Sequence, residues 1–177
     1  MSIRDFEDIK PDIAATAYVD PSALVVGEVT LAADVSLWPM VVARGDVNSI
    51  TIGARTNIQD GTILHVSHDS EFEPGGFALT IGSDITVGHQ CILHGCTVED
   101  RCLIGMAATV MDGAVLRSGV LLGAGSLVTP GQELEGGFVW MGSPARRMRP
   151  LRDTEQEFLE YSARHYVELK NRYMAKS

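Results

Sequence analysis

The chain holds five histidines, at positions 65, 68, 89, 94 and 165, and three cysteines, at 91, 96 and 102. An imidazole can bind a metal or move a proton, and a thiolate can bind a metal or attack an electrophile. The cysteines are odd in number and lack CxxC spacing, so no disulfide framework follows from them. Three of the histidines are placed more suggestively. His89 and His94 share the segment Gly88-His89-Gln90-Cys91-Ile92-Leu93-His94-Gly95, and His65 follows Leu64. Three imidazoles with one open position make a catalytic rather than a closed structural zinc site. Whether they can converge depends on the elements that carry them.

Those elements repeat every six residues. Apolar residues recur at Ile13, Val19, Val25, Leu31, Leu37 and Ala43, then at Ile52, Ile58 and Leu64, then at Ile81, Val87 and Leu93. The last run is Val98, Ile104, Val110, Leu116, Leu122, Val128 and Leu134, closed by Trp140. The residue four places on is usually small or β-branched, as at Val47, Thr62, Cys91, Thr97 and Cys102. Neither a helix nor a simple strand has this period. A coil of three short strands per turn does, with Gly, Asn or Asp at its corners and rungs stacked about 4.8 Å apart. The aromatic content of only 6% suits a narrow interior.

Labelling the three sides A, B and C from Ile13, the lead residues Ala43, Leu64 and Leu93 fall on side C. Arg44, His65 and His94 then share one outward slot on successive turns, near enough for two imidazoles to bind one cation. Asp60 and His89 share a slot on side B. His89 lies past a corner from His94 and is poorly placed to complete that site within one chain. In a threefold trimer a neighbour's His89 could do so.

The other features set the boundaries. The predicted organisation is a lead-in over 1–12, the coil over 13–145 with a loop insertion at 66–80, and a C-terminal helix over 150–176 packed on the prism. Acidic residues and Pro74-Gly75-Gly76 mark the loop as exposed. Asp153 with Gln156 predicts the helix cap, and Phe158, Leu159, Ser162, Tyr166, Leu169 and Tyr173 its packed face. His165 reads as an ordinary helix residue. Arg146, Arg147 and Arg149 read as a solvated turn or an anchor for the acidic start of the helix. A net charge of −9 argues against nucleic acid and against anionic membrane surfaces. The N-terminal residues lack the pattern of a secretory signal, which predicts a cytoplasmic protein.

Taken together, Arg44-Gly45-Asp46, Asn57-Ile58-Gln59-Asp60, His65, the segment Gly88 to Gly95, Ile104-Gly105-Met106 and Gly142-Ser143-Pro144-Ala145 resemble the γ-class carbonic anhydrase family, in its bacterial carbonic anhydrase-like branch. The resemblance covers nearly the whole chain. It implies an all-β fold, a left-handed parallel β-helix of hexapeptide repeats with a C-terminal α-helix. It implies a homotrimer with metal sites between subunits, held by His65, His89 and His94. The implied reaction is a lyase reaction, the reversible hydration of carbon dioxide to bicarbonate by metal-bound hydroxide, with Zn2+ or Fe2+ as the metal. Gln59, Asn57 and Arg44 match the catalytic positions, and Asp46 and Asp60 match interface or supporting positions. His68, Glu71 and Glu73 on the loop are the candidate proton shuttles. Val47 stands where the archetypal branch carries a Glu, which leaves open whether turnover is weak or absent. Two other classes remain: a hexapeptide acyltransferase or thioesterase acting on a coenzyme A thioester, and a non-catalytic metal-binding scaffold.

Overall fold

The computed structural model describes residues 2–175. The first residue of the expected lead-in and residue 176 of the expected helix lie outside that range. The chain winds as a left-handed parallel β-solenoid closed by one C-terminal helix. Pairing of successive rungs is parallel and in register along three columns. Side A stacks Ile13, Leu31, Ile52, Ile81, Val98, Leu116 and Leu134. Side B stacks Val19, Leu37, Ile58, Val87, Ile104, Leu122 and Trp140. Side C stacks Val25, Ala43, Leu64, Leu93, Val110 and Val128. Pairing begins before the expected start, since Ile3–Arg4 adds a rung beneath Val25 and Val26.

The interior is a column of aliphatic and small residues, and among the described residues Trp140, partly buried at its end, is the only ring packed against it. A prism three short strands wide has no room for more. Two inward slots differ from the simple count of four after the lead. Around the insertion near Ser49, Ile50 rather than Val47 fills the core, and Val47 is exposed. After the one-residue deletion beyond Leu93, Cys96 rather than Thr97 points inward. What fixes the inward slot is its distance before the next lead residue, because each strand re-enters the ladder there.

The corners are built from more than Gly, Asn and Asp. Met40, Arg55, Gln90, Arg101 and Ala107 all take positive φ, near +60°. Their local cost, about 1–2 kcal/mol each, is offset by amides that bond to the rung before: Arg55 N–H to Ala33 O at 3.0 Å, Arg101 N–H to Ser83 O at 3.0 Å and Ala107 N–H to His89 O at 2.8 Å. Glycine is required in a different place. A Cβ at Gly105, just past a lead residue, would lie 2.4 Å from Ala124 N on the next rung.

The helix spans Asp153–Met174 and packs on side B. Its cap is Arg152, one residue earlier than expected: Glu155 rather than Gln156 reaches back, accepting from Arg152 N–H at 2.9 Å. Arg149 holds that same carboxylate through two bonds of 2.7 Å, the anchor the basic run suggested. The run itself is a strand, Arg146–Pro150, antiparallel to Phe138–Met141. Leu159, Ser162 and Ala163 face the prism, whereas Phe158 is exposed. Lys170, 1% exposed, pairs with Asp34 at 2.9 Å, and Trp38 packs its ring against Tyr166 and Tyr173. The helix therefore seals side B and leaves side C uncovered within the chain.

All three thiols face the interior, and burial pushes them up, to about 11 for Cys91 and about 12 for Cys96 and Cys102. Since the thiolate is the nucleophile, a thiol reagent at neutral pH should label none of them in the folded protein and all after denaturation. Rapid labelling of Cys96 in the native state would contradict its interior placement.

Candidate metal centre

Side C brings four of the candidate residues together. His94 pairs directly with His65 across adjacent rungs. Their rings meet edge to face with centroids 5.0 Å apart, and His65 Nδ1 lies 3.0 Å from His94 Nε2. Each ring has its other nitrogen occupied by a carboxylate. Asp46 Oδ1 lies 3.1 Å from His65 Nε2, and Asp112 Oδ1 lies 2.6 Å from His94 Nδ1. Arg44 donates to the other Asp46 oxygen at 2.5 Å.

This geometry constrains protons. An ionised carboxylate only accepts, so the ring nitrogens beside Asp46 and Asp112 carry the hydrogens. In neutral rings the two facing nitrogens then both present lone pairs across 3.0 Å. Two lone pairs at that distance repel unless a positive species lies between or beside them. Two nitrogens on one tetrahedral zinc would stand about 3.3 Å apart. Neutral imidazoles suit several divalent metals, zinc and ferrous iron among them, and ligating rings usually donate their second N–H to a carboxylate. The residues of side C thus fit a cation, but as two ligands rather than three. Among the described residues of one chain, no three His, Cys, Asp or Glu side chains converge on a point.

Four further candidates, Asn57, Gln59, Asp60 and His89, lie on side B and its corner toward side C. His89 Nδ1 lies 2.9 Å from Asp60 Oδ2, which leaves Nε2 on a half-exposed ring. Gln59, 6% exposed, donates from Nε2 to Asn57 Oδ1 at 3.2 Å. Asn57 is 1% exposed and donates to Thr86 Oγ1 at 2.9 Å. Thr86 in turn meets Ser162 of the helix at 2.9 Å. Asn57 is therefore sealed under the helix and holds the Gln59 amide. One prism carries two groups of candidate residues on different faces: Arg44, Asp46, His65 and His94 on one, Gln59, Asp60 and His89 on the other.

Sequence reasoning missed Asp112. Its signal was in the repeat, because Val110-Met111-Asp112 continues the column of Leu64-His65 and Leu93-His94 by one rung. The three loop candidates, His68, Glu71 and Glu73, are all exposed. Glu73 lines a cavity of about 680 Å³ together with Ser67, Phe77 and Asp112.

No family model matches the chain. It is 49% identical over 97% of its length to Protein YrdA of Escherichia coli (strain K12), covering 94% of that protein. It is 41% identical over 92% of its length to Gamma carbonic anhydrase 2, mitochondrial, of Arabidopsis thaliana, covering 58% of that longer protein. The chain belongs to the γ-class carbonic anhydrase-like family. Among solved structures, a hexapeptide transferase family protein from Anaplasma phagocytophilum matches with a TM-score of 0.88 and 36% identity, over 97% of each chain. The paired imidazoles of this γ-class-like chain therefore sit on a scaffold also used by proteins named as transferases.

Burial pushes the His65 imidazole below its ordinary value, and the neighbouring Arg44 and His94 lower it further, while Asp46 pulls it up. Burial alone would raise the Asp46 carboxyl, but its bonds to Arg44 and His65 hold it below the usual range. Asp46→Asn removes the upward pull and leaves Arg44 in place. The His65 titration midpoint of the metal-free protein, followed by NMR, should fall; a rise would contradict the assigned contact.

Proposed function

We propose that the protein is a homotrimeric, metal-dependent carbonic anhydrase-like lyase interconverting carbon dioxide and bicarbonate at sites shared between subunits. The observation that carries this reading is the pair of facing nitrogens on His65 and His94, each ring fixed from behind by a carboxylate. In this reading the third ligand is His89 of a neighbouring copy, its Nε2 left outward by Asp60. The surface beside the histidines supports association. Ile63 and Ile92 are exposed on side C, and Met40 and Met106, 66% and 56% exposed, crest the corner by His89. Such a patch on an acidic chain suits burial against another copy.

A divalent ion there, zinc or ferrous iron, would supply Lewis-acid activation of water for attack on carbon dioxide. The protein's own groups do the rest. Gln59, held by Asn57, presents its amide oxygen to accept a hydrogen from water or to orient substrate. Arg44, half-exposed and tied to Asp46, offers a guanidinium to the bicarbonate anion. Glu73 is the loop carboxylate we assign to proton export, because it shares a cavity with Asp112. His68 and Glu71 are its alternates on the same loop. The three cysteines are free, which suits a reducing compartment, and we assign the protein to the cytoplasm.

A second reading, acyl transfer from a coenzyme A thioester, is favoured by the transferase name of the Anaplasma structure. A coenzyme A titration separates the two, since the hydration reading expects no saturable binding. A non-catalytic scaffold would bind metal yet leave carbon dioxide hydration at the uncatalysed rate.

His89→Ala should abolish metal retention after anaerobic purification while the far-ultraviolet spectrum stays unchanged, because His89 faces away from the core. Stopped-flow hydration should fall to background. Full metal occupancy in the variant would exclude His89 as a ligand.

A further inference from the structure

We infer that Asp112 is a positioning residue of the metal centre, fixing His94 with its hydrogen on Nδ1 so that the Nε2 lone pair faces the cation. The inference rests on the reading of His65 and His94 as ligands. Its basis is the 2.6 Å contact from Asp112 Oδ1 to His94 Nδ1, shorter than the 3.1 Å contact of Asp46 with His65. A short bond to a carboxylate is the strong kind and selects one tautomer.

The backbone is shaped around this contact. Gly95 follows His94 at the corner where the coil loses one residue, and it takes φ +49°. A Cβ there would lie 2.2 Å from Asp112 Oδ1 and 2.6 Å from Phe77 Cβ. Any side chain at 95 would displace the carboxylate from the imidazole. The rung is fixed on both sides, with Gly95 N–H donating to His65 O at 3.0 Å and Gly113 N–H donating to Gly95 O at 2.8 Å. The carboxylate reaches the ring from the next turn, so it orients His94 without occupying the side where His65 waits. Phe77 closes the corner from outside, which ties the loop to the same position.

The test compares wild type, Asp112→Ala and Asp112→Asn, each with 15N-labelled histidine. In metal-free protein, about two pH units above the ordinary imidazole value, wild-type His94 should show Nδ1 protonated and Nε2 bare. Asp112→Ala should shift His94 toward the Nε2-protonated tautomer. Its zinc affinity, measured by competition with a chromophoric chelator, should fall about 10–100-fold. Asp112→Asn retains an acceptor oxygen, so it should keep the tautomer and bind zinc with intermediate affinity. A merely space-filling role would leave Asp112→Asn at wild-type affinity. An unchanged His94 tautomer in Asp112→Ala, or wild-type zinc affinity in that variant, overturns the inference. Failure of wild type itself to bind zinc would count against the metal reading instead, and the tautomer comparison would still decide the role of Asp112.

Discussion

In-register parallel pairing of Ile63–His65 with Ile92–His94 is the constraint on which the site depends. The ladder spacing puts equivalent side chains about 4.8 Å apart at the backbone, and the rings close to 3.0 Å between nitrogens. A slip of one residue would turn both imidazoles into the core. The register cannot slip cheaply, because Leu64 and Leu93 are fully buried in the shared interior. The aliphatic column thus does more than stabilise the coil. It aims the outward residues, while Asp46 and Asp112 set the rotation and tautomer of each ring.

The division of candidate residues between two faces gives the arrangement its second property. Side B is covered by the C-terminal helix, held by Lys170 with Asp34 and by the aromatic cluster around Trp38. Among the described residues side C has no such cover, and it carries both paired histidines and exposed apolar residues. In the proposed reading, two ligands lie on one face and the third at a neighbouring corner, so a site would be completed by meeting another copy. Metal binding and assembly would then be linked, since each cation adds bonds across the contact.

Much of this was legible in the sequence because a six-residue period fixes both side and rung. Counting from Ile13 alone places His65 over His94, and Asp60 beside His89. The count failed where the chain gains or loses residues. Four places past the lead stand Val47 and Thr97, but Ile50 and Cys96 fill the inward slots there. Contacts between side chains on different rungs were the least legible. Asp112 reaches His94 only because Gly95 lacks a side chain, and Arg152 caps the helix only because Arg149 steers Glu155. Both depend on local corner geometry that residue type alone does not encode. The strand Arg146–Pro150 was hidden by its basic composition, and Phe158 was misplaced because Ala163 and Lys170 lie on the packed face instead.

Mixing two inactive variants tests the shared site most directly. A His89→Ala chain keeps His65 and His94, and a His94→Ala chain keeps His89, so neither forms a complete site alone. Random assortment of equal amounts around a closed three-fold ring leaves about a quarter of the interfaces with all three imidazoles. Metal content measured after co-refolding should rise from background to about that fraction. Mixed trimers that remain metal-free, or either variant alone binding its full complement, would contradict a centre built from two copies.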